Sequence, residues 1–343
     1  MKITGVNVEV REKPADHSFR WRQGLPGSDR MSITARVEIT TEEGISGIAF
    51  SSHGRIIEEL FDRRLRDMLI GADPLMKERL WTAAWEIDRI EELPIYALGV
   101  VDIALWDLTA KVAGLPLYQV IGGYRDRIPA YASTVTFETT EEFLEVADQC
   151  LDWGFQAIKL HAWGDPRRDA RLGQALRKHV GPDIALMYDG SAGFDLVDAL
   201  YVGHALQEAD YLWYEEPMRE FSIDAYRRLA EALRIPVLSG ETSDGVHYNI
   251  ADFIMQGAAD MVRTSTHYKG GITGGLRIAH LAEAFHMRAE VHGGGLPNLH
   301  LACAIPNTTY YESLVYSTKV VVEEGIGRDG CISPPAMPGI GWD

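Results

Sequence analysis

Three acidic residues, Asp189, Glu215 and Glu241, recur every 26 residues. Each closes an apolar, strand-like run: Met-Tyr-Asp189-Gly, Trp-Tyr-Glu215-Glu216-Pro217 and Leu-Ser-Gly-Glu241-Thr. A helical stretch separates each pair. Successive β/α units of a parallel barrel set the C-terminal ends of their strands side by side, so this spacing brings three carboxylates to one mouth. Carboxylates packed together repel unless a cation lies between them. Hard oxygen donors with few sulfur ligands point to Mg2+ rather than zinc. Taken singly, each acid has a plainer reading: Asp189 before Gly190 as a turn residue, Glu215 and Glu216 before Pro217 as solvated loop acids. The equal spacing at three strand ends favours the metal.

Other strand ends carry complementary chemistry. Lys159 and His161 end the second strand of the series and, two residues apart, point to one face. His292 follows the seventh strand and Glu312 the eighth. A proton next to a carboxylate is a very weak acid, and its removal leaves two negative charges on the carboxylate oxygens. A dication must already be in place to offset them. Lys159 would add positive charge beside those oxygens, and a buried, protonated Glu312 would donate a hydrogen bond to one. His161 and His292 titrate near neutrality, as a general base or acid should. Their plain alternatives are a satisfied core histidine, a loop histidine beside Gly293-Gly294-Gly295, a solvated strand-end lysine and a surface glutamate.

The elements that must position these groups begin near Ile128. Strands are expected near Pro129–Thr136, Ala157–Leu160, Ile184–Tyr188, Tyr211–Tyr214, Pro236–Leu238, Met261–Thr264, Arg288–Val291 and Thr309–Tyr311, with helical segments between them. Eight strands alternating with helices over about 190 residues fit a barrel better than an open doubly wound sheet. The first 50 residues read instead as alternating strands, Lys2 to Val10 and Ser32 to Thr41. Between these lies a loop rich in aromatic, arginine and glycine residues, from Asp16 to Gly27. It reads as a hairpin loop or as a lid over a site. Residues 56–120 read as helices, the last, Pro94 to Val112, as a buried one. The Gly- and Pro-rich tail is expected to pack back on the first domain.

The chain has 343 residues, 46% hydrophobic and 24% charged, as in ordinary globular proteins. A net charge of −17 argues against a nucleic-acid partner. It leaves room for anionic small substrates, since a bound dication inverts the local field. Cys150, Cys303 and Cys331 are odd in number and lack metal spacing, which suggests free thiols in a reducing compartment. No run is long enough to span a bilayer and the start lacks a signal-peptide core. A cytoplasmic location is expected.

The sequence resembles the enolase superfamily and, within it, the mandelate racemase subgroup. The resemblance is carried by Lys159-Leu-His161, Asp189, Glu215-Glu216-Pro217, Gly240-Glu241, Gly270-Gly271-Ile272-Thr273, His292 and Glu312. The run Gly99-Val-Val-Asp102-Ile-Ala-Leu-Trp106-Asp107-Leu-Thr-Ala-Lys111-Val-Ala-Gly-Leu-Pro-Leu adds to it. It implies an α/β fold: a modified TIM barrel, (β/α)7β, over residues 126–319. An α+β N-terminal capping domain would cover 1–125, completed by 320–343. It implies Mg2+ on Asp189, Glu215 and Glu241, holding a substrate carboxylate, and catalytic roles for Lys159, His161, His292 and Glu312. Sites of that superfamily use a Lys or His base with Mg2+ and pass through an enediolate. Two positions depart from the pattern. His161 stands where the family usually has lysine, which keeps a base there with a reference pKa near 6.5 rather than about 10.4. Ser265 stands where an aspartate usually orients the strand-seven histidine. It supplies no charge to raise that pKa, so more of the chemistry is expected of His161. The absence of lysine at that position argues against the muconate-lactonising branch.

The expected activity is dehydration of an acid sugar, a small carboxylate, to a 2-keto-3-deoxy acid. Polar groups near the lid, His17, Arg20, Arg22 and His53, suit a polyhydroxylated substrate. The alternatives are a racemase, epimerase or cycloisomerase using two bases on opposite faces, and a non-catalytic metabolite-binding relative. The resemblance also implies a homo-oligomer.

Overall fold

A computed structural model describes residues 1–342. The early alternation becomes three antiparallel strands, β1 (Ile3–Pro14), β2 (Met31–Thr41) and β3 (Ser46–Ser51), paired in sequence order. Their apolar face, with Ala35, Val37, Ile39 and Ala49 buried, packs on the helix Ile95–Ala113. That helix starts behind Pro94 and stops at Gly114, which takes the left-handed conformation at φ 68°. It is apolar nearly all round and buried, as such a helix must be.

Two aspartates on this helix fix its neighbours. Asp107 accepts from the backbone N–H of Ile48 at 2.8 Å and of Ile340 at 2.7 Å. The three-stranded sheet and the C-terminal tail are thus tied to one carboxylate. Asp102 accepts from the Thr273 N–H at 2.8 Å and its hydroxyl at 2.6 Å, joining the capping helix to the barrel helix Gly271–Ala284. The close approach needs glycine at 271: φ is +83°, and a Cβ there would lie 2.3 Å from Asp102 Oδ2.

The barrel is built from β4 (Ile128–Thr134), β5 (Ala157–His161), β6 (Ala185–Asp189), β7 (Trp213–Glu215), β8 (Val237–Ser239), β9 (Met261–Thr264), β10 (Ala289–Val291) and β11 (Tyr311–Val315), parallel and in sequence order, with β11 beside β4. The connecting helices carry strong start signals. Thr139 and Glu142 form a reciprocal capping box, Asp165 caps a helix opening on Pro166, and Asp195 and Ser222 cap the next two. The tail adds a short strand, β12 (Cys331–Ile332), antiparallel to β4. This is a modified TIM barrel with an α+β capping domain. Among the described residues no helix is long and apolar enough to cross a membrane.

One strand departs from expectation. The eighth runs Tyr311–Val315 rather than near Thr309–Tyr311. Thr308 and Thr309 are taken up in closing the barrel where β10 and β11 share no ladder. The buried Glu290 carboxylate accepts from both their hydroxyls, at 3.1 and 2.7 Å, and from the Thr309 N–H at 2.9 Å.

Candidate active site

Strand register places the site. His161 pairs with Asp189 and Asp189 with Glu215, one level across β5, β6 and β7. Side chains two apart share a face, so the inward positions form layers. Tyr131, Ala157, Met187, Trp213, Leu238 and Met261 make an apolar floor. Two residues further along their strands stand Lys159, Asp189, Glu215 and Arg263. The charges therefore rest on a dry base and face the open mouth.

Asp189, Glu215 and Glu241 converge, each offering a carboxylate oxygen within 4.8 Å of the others. Lys159 Nζ, fully buried, lies 3.3 Å from Asp189, 3.1 Å from Glu215 and 2.9 Å from Glu312. Burial alone would discharge this lysine, but Glu215 and Glu312 hold its pKa well above the usual value. Burial likewise works against Asp189 as an anion, yet His161 and Lys159 hold its carboxyl well below the ordinary range.

Glu241 differs. Burial and the Asp189 and Glu215 charges push its pKa well up, and among the described residues it pairs with His292 Nε2 at 3.2 Å. The cluster thus carries negative charge that Lys159 and Arg263 leave unmet. A hard dication fits that vacancy in charge and in donor type. Asp189, Glu215 and Glu241 would be the residues to hold Mg2+, each offering a hard carboxylate oxygen.

The two histidines sit at opposite ends of the triad. His161 Nδ1 lies 2.7 Å from the Thr134 carbonyl. A carbonyl only accepts, so Nδ1 carries a proton, and Nε2 is the nitrogen that faces the cavity side and can exchange one. Nε2 points at Asp189 Oδ2, 3.0 Å away. Trp21, from the loop between β1 and β2, covers the His161 ring at a centroid distance of 4.6 Å.

His292 touches Glu241 and stacks on Tyr268, 5.2 Å between centroids. Burial lowers its pKa to about 4. Ser265 gives it no help, because its hydroxyl accepts from the N–H groups of His267 and Tyr268 instead. The loop bearing His292 is held by Asn298, whose amide donates to the carbonyls of His292, Gly293 and Gly294 at 2.8, 3.0 and 3.3 Å.

Glu312 requires a correction. It is not a protonated donor: burial favours the neutral form, but Lys159 and Arg263 hold its carboxyl well below the usual range. As an anion it accepts from the Gly293 N–H at 2.7 Å.

A cavity of about 810 Å³ opens over these groups, lined by His161, Asp189, Glu241, His292 and Glu312. Of the four residues read as substrate contacts, His53 lines it. His17, Arg20 and Arg22 do not. His17 stacks on Tyr316 at 5.3 Å, and Arg20 bonds the Thr136 N–H through its own carbonyl. Arg22 binds the carbonyls of Ser191 and Ala192 at 2.8 and 3.3 Å, so it clamps the loop to the barrel.

Arg263, unread from sequence, and Glu216, read there as a solvated loop acid but buried, also contribute. Arg263, fully buried on β9, binds Glu215, the Tyr131 hydroxyl and the Val291 carbonyl. An arginine inside the run Met261-Val-Arg263-Thr264 was the available signal, since a buried strand admits such a charge only when paired. Glu216 bridges to the Gly240 N–H at 2.8 Å and orients the loop bearing Glu241.

Comparison with known proteins agrees with this geometry. Residues 142–343 match the enolase C-terminal domain-like family. Residues 26–122 match the mandelate racemase / muconate lactonizing enzyme N-terminal domain. A 3,6-anhydro-alpha-L-galactonate cycloisomerase from Streptomyces coelicolor is 30% identical over 321 residues, 90% of this chain and 88% of its own. An L-talarate/galactarate dehydratase from Salmonella typhimurium is 29% identical, covering 92% and 84%. A D-glucarate dehydratase from Agrobacterium tumefaciens, solved with magnesium, superimposes with a TM-score of 0.88 at 34% identity, covering 100% and 96%. Relatives of this kind are dehydratases and cycloisomerases acting on sugar carboxylates. With both halves matched and the acidic triad in register, the chain belongs to the mandelate racemase/muconate lactonizing enzyme family of the enolase superfamily.

Proposed function

We propose that this protein is a Mg2+-dependent acid-sugar dehydratase. The observation that carries the reading is the acidic triad with His161 at its Asp189 end and His292 at its Glu241 end, all facing one cavity. Asp189, Glu215 and Glu241 would hold the metal. When bound, it supplies the positive charge that offsets the second negative charge on the substrate carboxylate as the α proton leaves. The magnesium of the glucarate dehydratase neighbour supports this choice of ion.

The remaining work falls to side chains. Lys159 adds a fixed cation beside the same oxygens. Glu312 and Glu215 keep it charged, and Arg263 keeps Glu215 in place. His161 Nε2 takes the proton from Cα, its Nδ1 held by Thr134. The Cβ–O bond then breaks, and the hydroxyl leaves as water with the proton His161 has gained. The enol so formed becomes the 2-keto-3-deoxy acid. His292, kept uncharged by burial, receives a hydrogen bond from a substrate hydroxyl instead of supplying a proton.

The test is a panel of aldonic and aldaric acids assayed for keto-acid formation with Mg2+. Formation of a 2-keto-3-deoxy acid from at least one member is expected, and no product across the panel counts against the proposal. A second reading, cycloisomerase or racemase, is favoured by one observation: two histidines stand at opposite ends of the triad. Exchange of the α proton for deuterium without loss of water would select it.

A further inference from the structure

The loops after β6 and β7 are laced into one rim. The Gly190 N–H donates to the Glu215 carbonyl at 2.8 Å, Ala192 to Glu216 at 2.7 Å and Phe194 to Pro217 at 3.0 Å. Arg22 is pinned to this rim from above, on the carbonyls of Ser191 and Ala192. Arg219 stands on the same rim, four residues beyond Glu215, and its side chain lines the cavity. Four residues reach at most about 14 Å, which bounds the separation of the Arg219 and Glu215 backbones, and Arg219 lines the same cavity as Asp189 and Glu241.

Among the described residues Arg219 makes no ion pair, and neither does Arg22, although the protein carries a net charge of −17. Burial, and the Arg219 charge beside it, lower the pKa of Arg22, in keeping with two guanidiniums set together with no acid between them. Glu220 also lines the cavity and faces the same space, yet it pairs with neither. Every other positive group near the site is engaged: Lys159 with three carboxylates, and Arg263 with Glu215. Hydroxyls of Ser51, Ser52, Ser191 and Thr242 line the cavity as well, which suits a polyol chain. Guanidinium forks match carboxylates in two-point geometry.

We infer that Arg219 receives the second carboxylate of a dicarboxylic acid sugar, so that the substrate is an aldarate rather than an aldonate. This rests on the acid-sugar reading above and narrows it. Arg219 is then a specificity-determining residue, and Arg22 a positioning one that fixes the rim.

The experiment compares acids that differ only at the terminal carbon, galactarate against galactonate and glucarate against gluconate, with Mg2+ present. Both kcat/KM and the ligand-induced rise in Tm are measured on wild type, Arg219→Gln and Arg219→Lys. The wild type should favour the diacid of a pair by tenfold or more. Arg219→Gln should collapse that ratio through KM, with Arg219→Lys between the two. Wild-type preference for the monoacid, or an equal loss on both acids in Arg219→Gln, overturns the inference. Should no acid be turned over, the dehydratase reading fails. A diacid-selective Tm rise that Arg219→Gln removes would still uphold the subsite, and its absence would overturn it.

Discussion

Arg263 grips both carboxylate oxygens of Glu215, Nε on Oε1 and Nη2 on Oε2 at 2.7 Å, with both side chains fully buried. The pair sits directly under the candidate metal centre. Its fork geometry fixes the carboxylate plane, leaving Glu215 no freedom to turn from its partners. It also supplies a counter-charge before any metal arrives.

Removing one side of a buried pair leaves the other charge uncompensated, at a cost of roughly 3–5 kcal/mol. Arg263→Met should therefore lower the stability of the metal-free protein by about that amount. Urea unfolding in the presence of a chelator measures it. The same substitution should enlarge the stabilisation conferred by Mg2+, because the dication then meets more unpaired charge.

Glu241 makes the opposite case. Burial and two neighbouring acids raise its pKa, so its charge burdens the metal-free protein. Glu241→Gln should raise Tm without metal, yet weaken Mg2+ binding by tenfold or more in calorimetry. A variant that merely misfolded would lose stability instead.

His161 and His292 should divide their effects. His161→Gln should lower turnover by about 10²–10⁴-fold, the range for a lost general base, and abolish exchange of the α proton with solvent. His292→Gln, which removes only a contact to a substrate hydroxyl, should raise KM while leaving α-proton exchange measurable. Proton NMR in heavy water distinguishes the two.

The triad was legible in the sequence because equal spacing and a parallel barrel leave few other places for those carboxylates to go. The capping helix was legible too, its apolar run bounded by Pro94 and Gly114. Side-chain direction within loops was not. Arg22 reads from sequence as a substrate contact, but the unsatisfied carbonyls of Ser191 and Ala192, which lie far along the chain, claim it. Arg263 sits in a strand whose pattern says only that it is buried, and its partner lies 48 residues earlier. Glu312 reads as protonated when burial alone is considered; the lysine and arginine folded beside it decide its charge.

The C-terminal tail gives a pH prediction away from the site. His300 accepts from the Tyr118 N–H through Nδ1 at 3.0 Å, and its Nε2, 3.0 Å from the Ile340 carbonyl, donates there. The Tyr118 bond requires the neutral ring, since a protonated Nδ1 cannot accept. Burial lowers its pKa from 6.5 to about 4. Between these values the unfolded chain binds a proton that the native state refuses, so stability is full above pH 6.5 and falls as pH drops towards 4. The whole effect is of the order of 3 kcal/mol. Urea midpoints across this range should show the loss in wild type and a shallower slope in His300→Gln.

Solvent exchange tests the central claim most directly. The α proton of an acid-sugar substrate is followed by NMR in heavy water, with Mg2+ and then with excess chelator, on wild type and Glu241→Gln. The triad and its dication predict loss of the α-proton signal in wild type with Mg2+ alone. Loss that persists in chelator, or in Glu241→Gln at the wild-type rate, would contradict it.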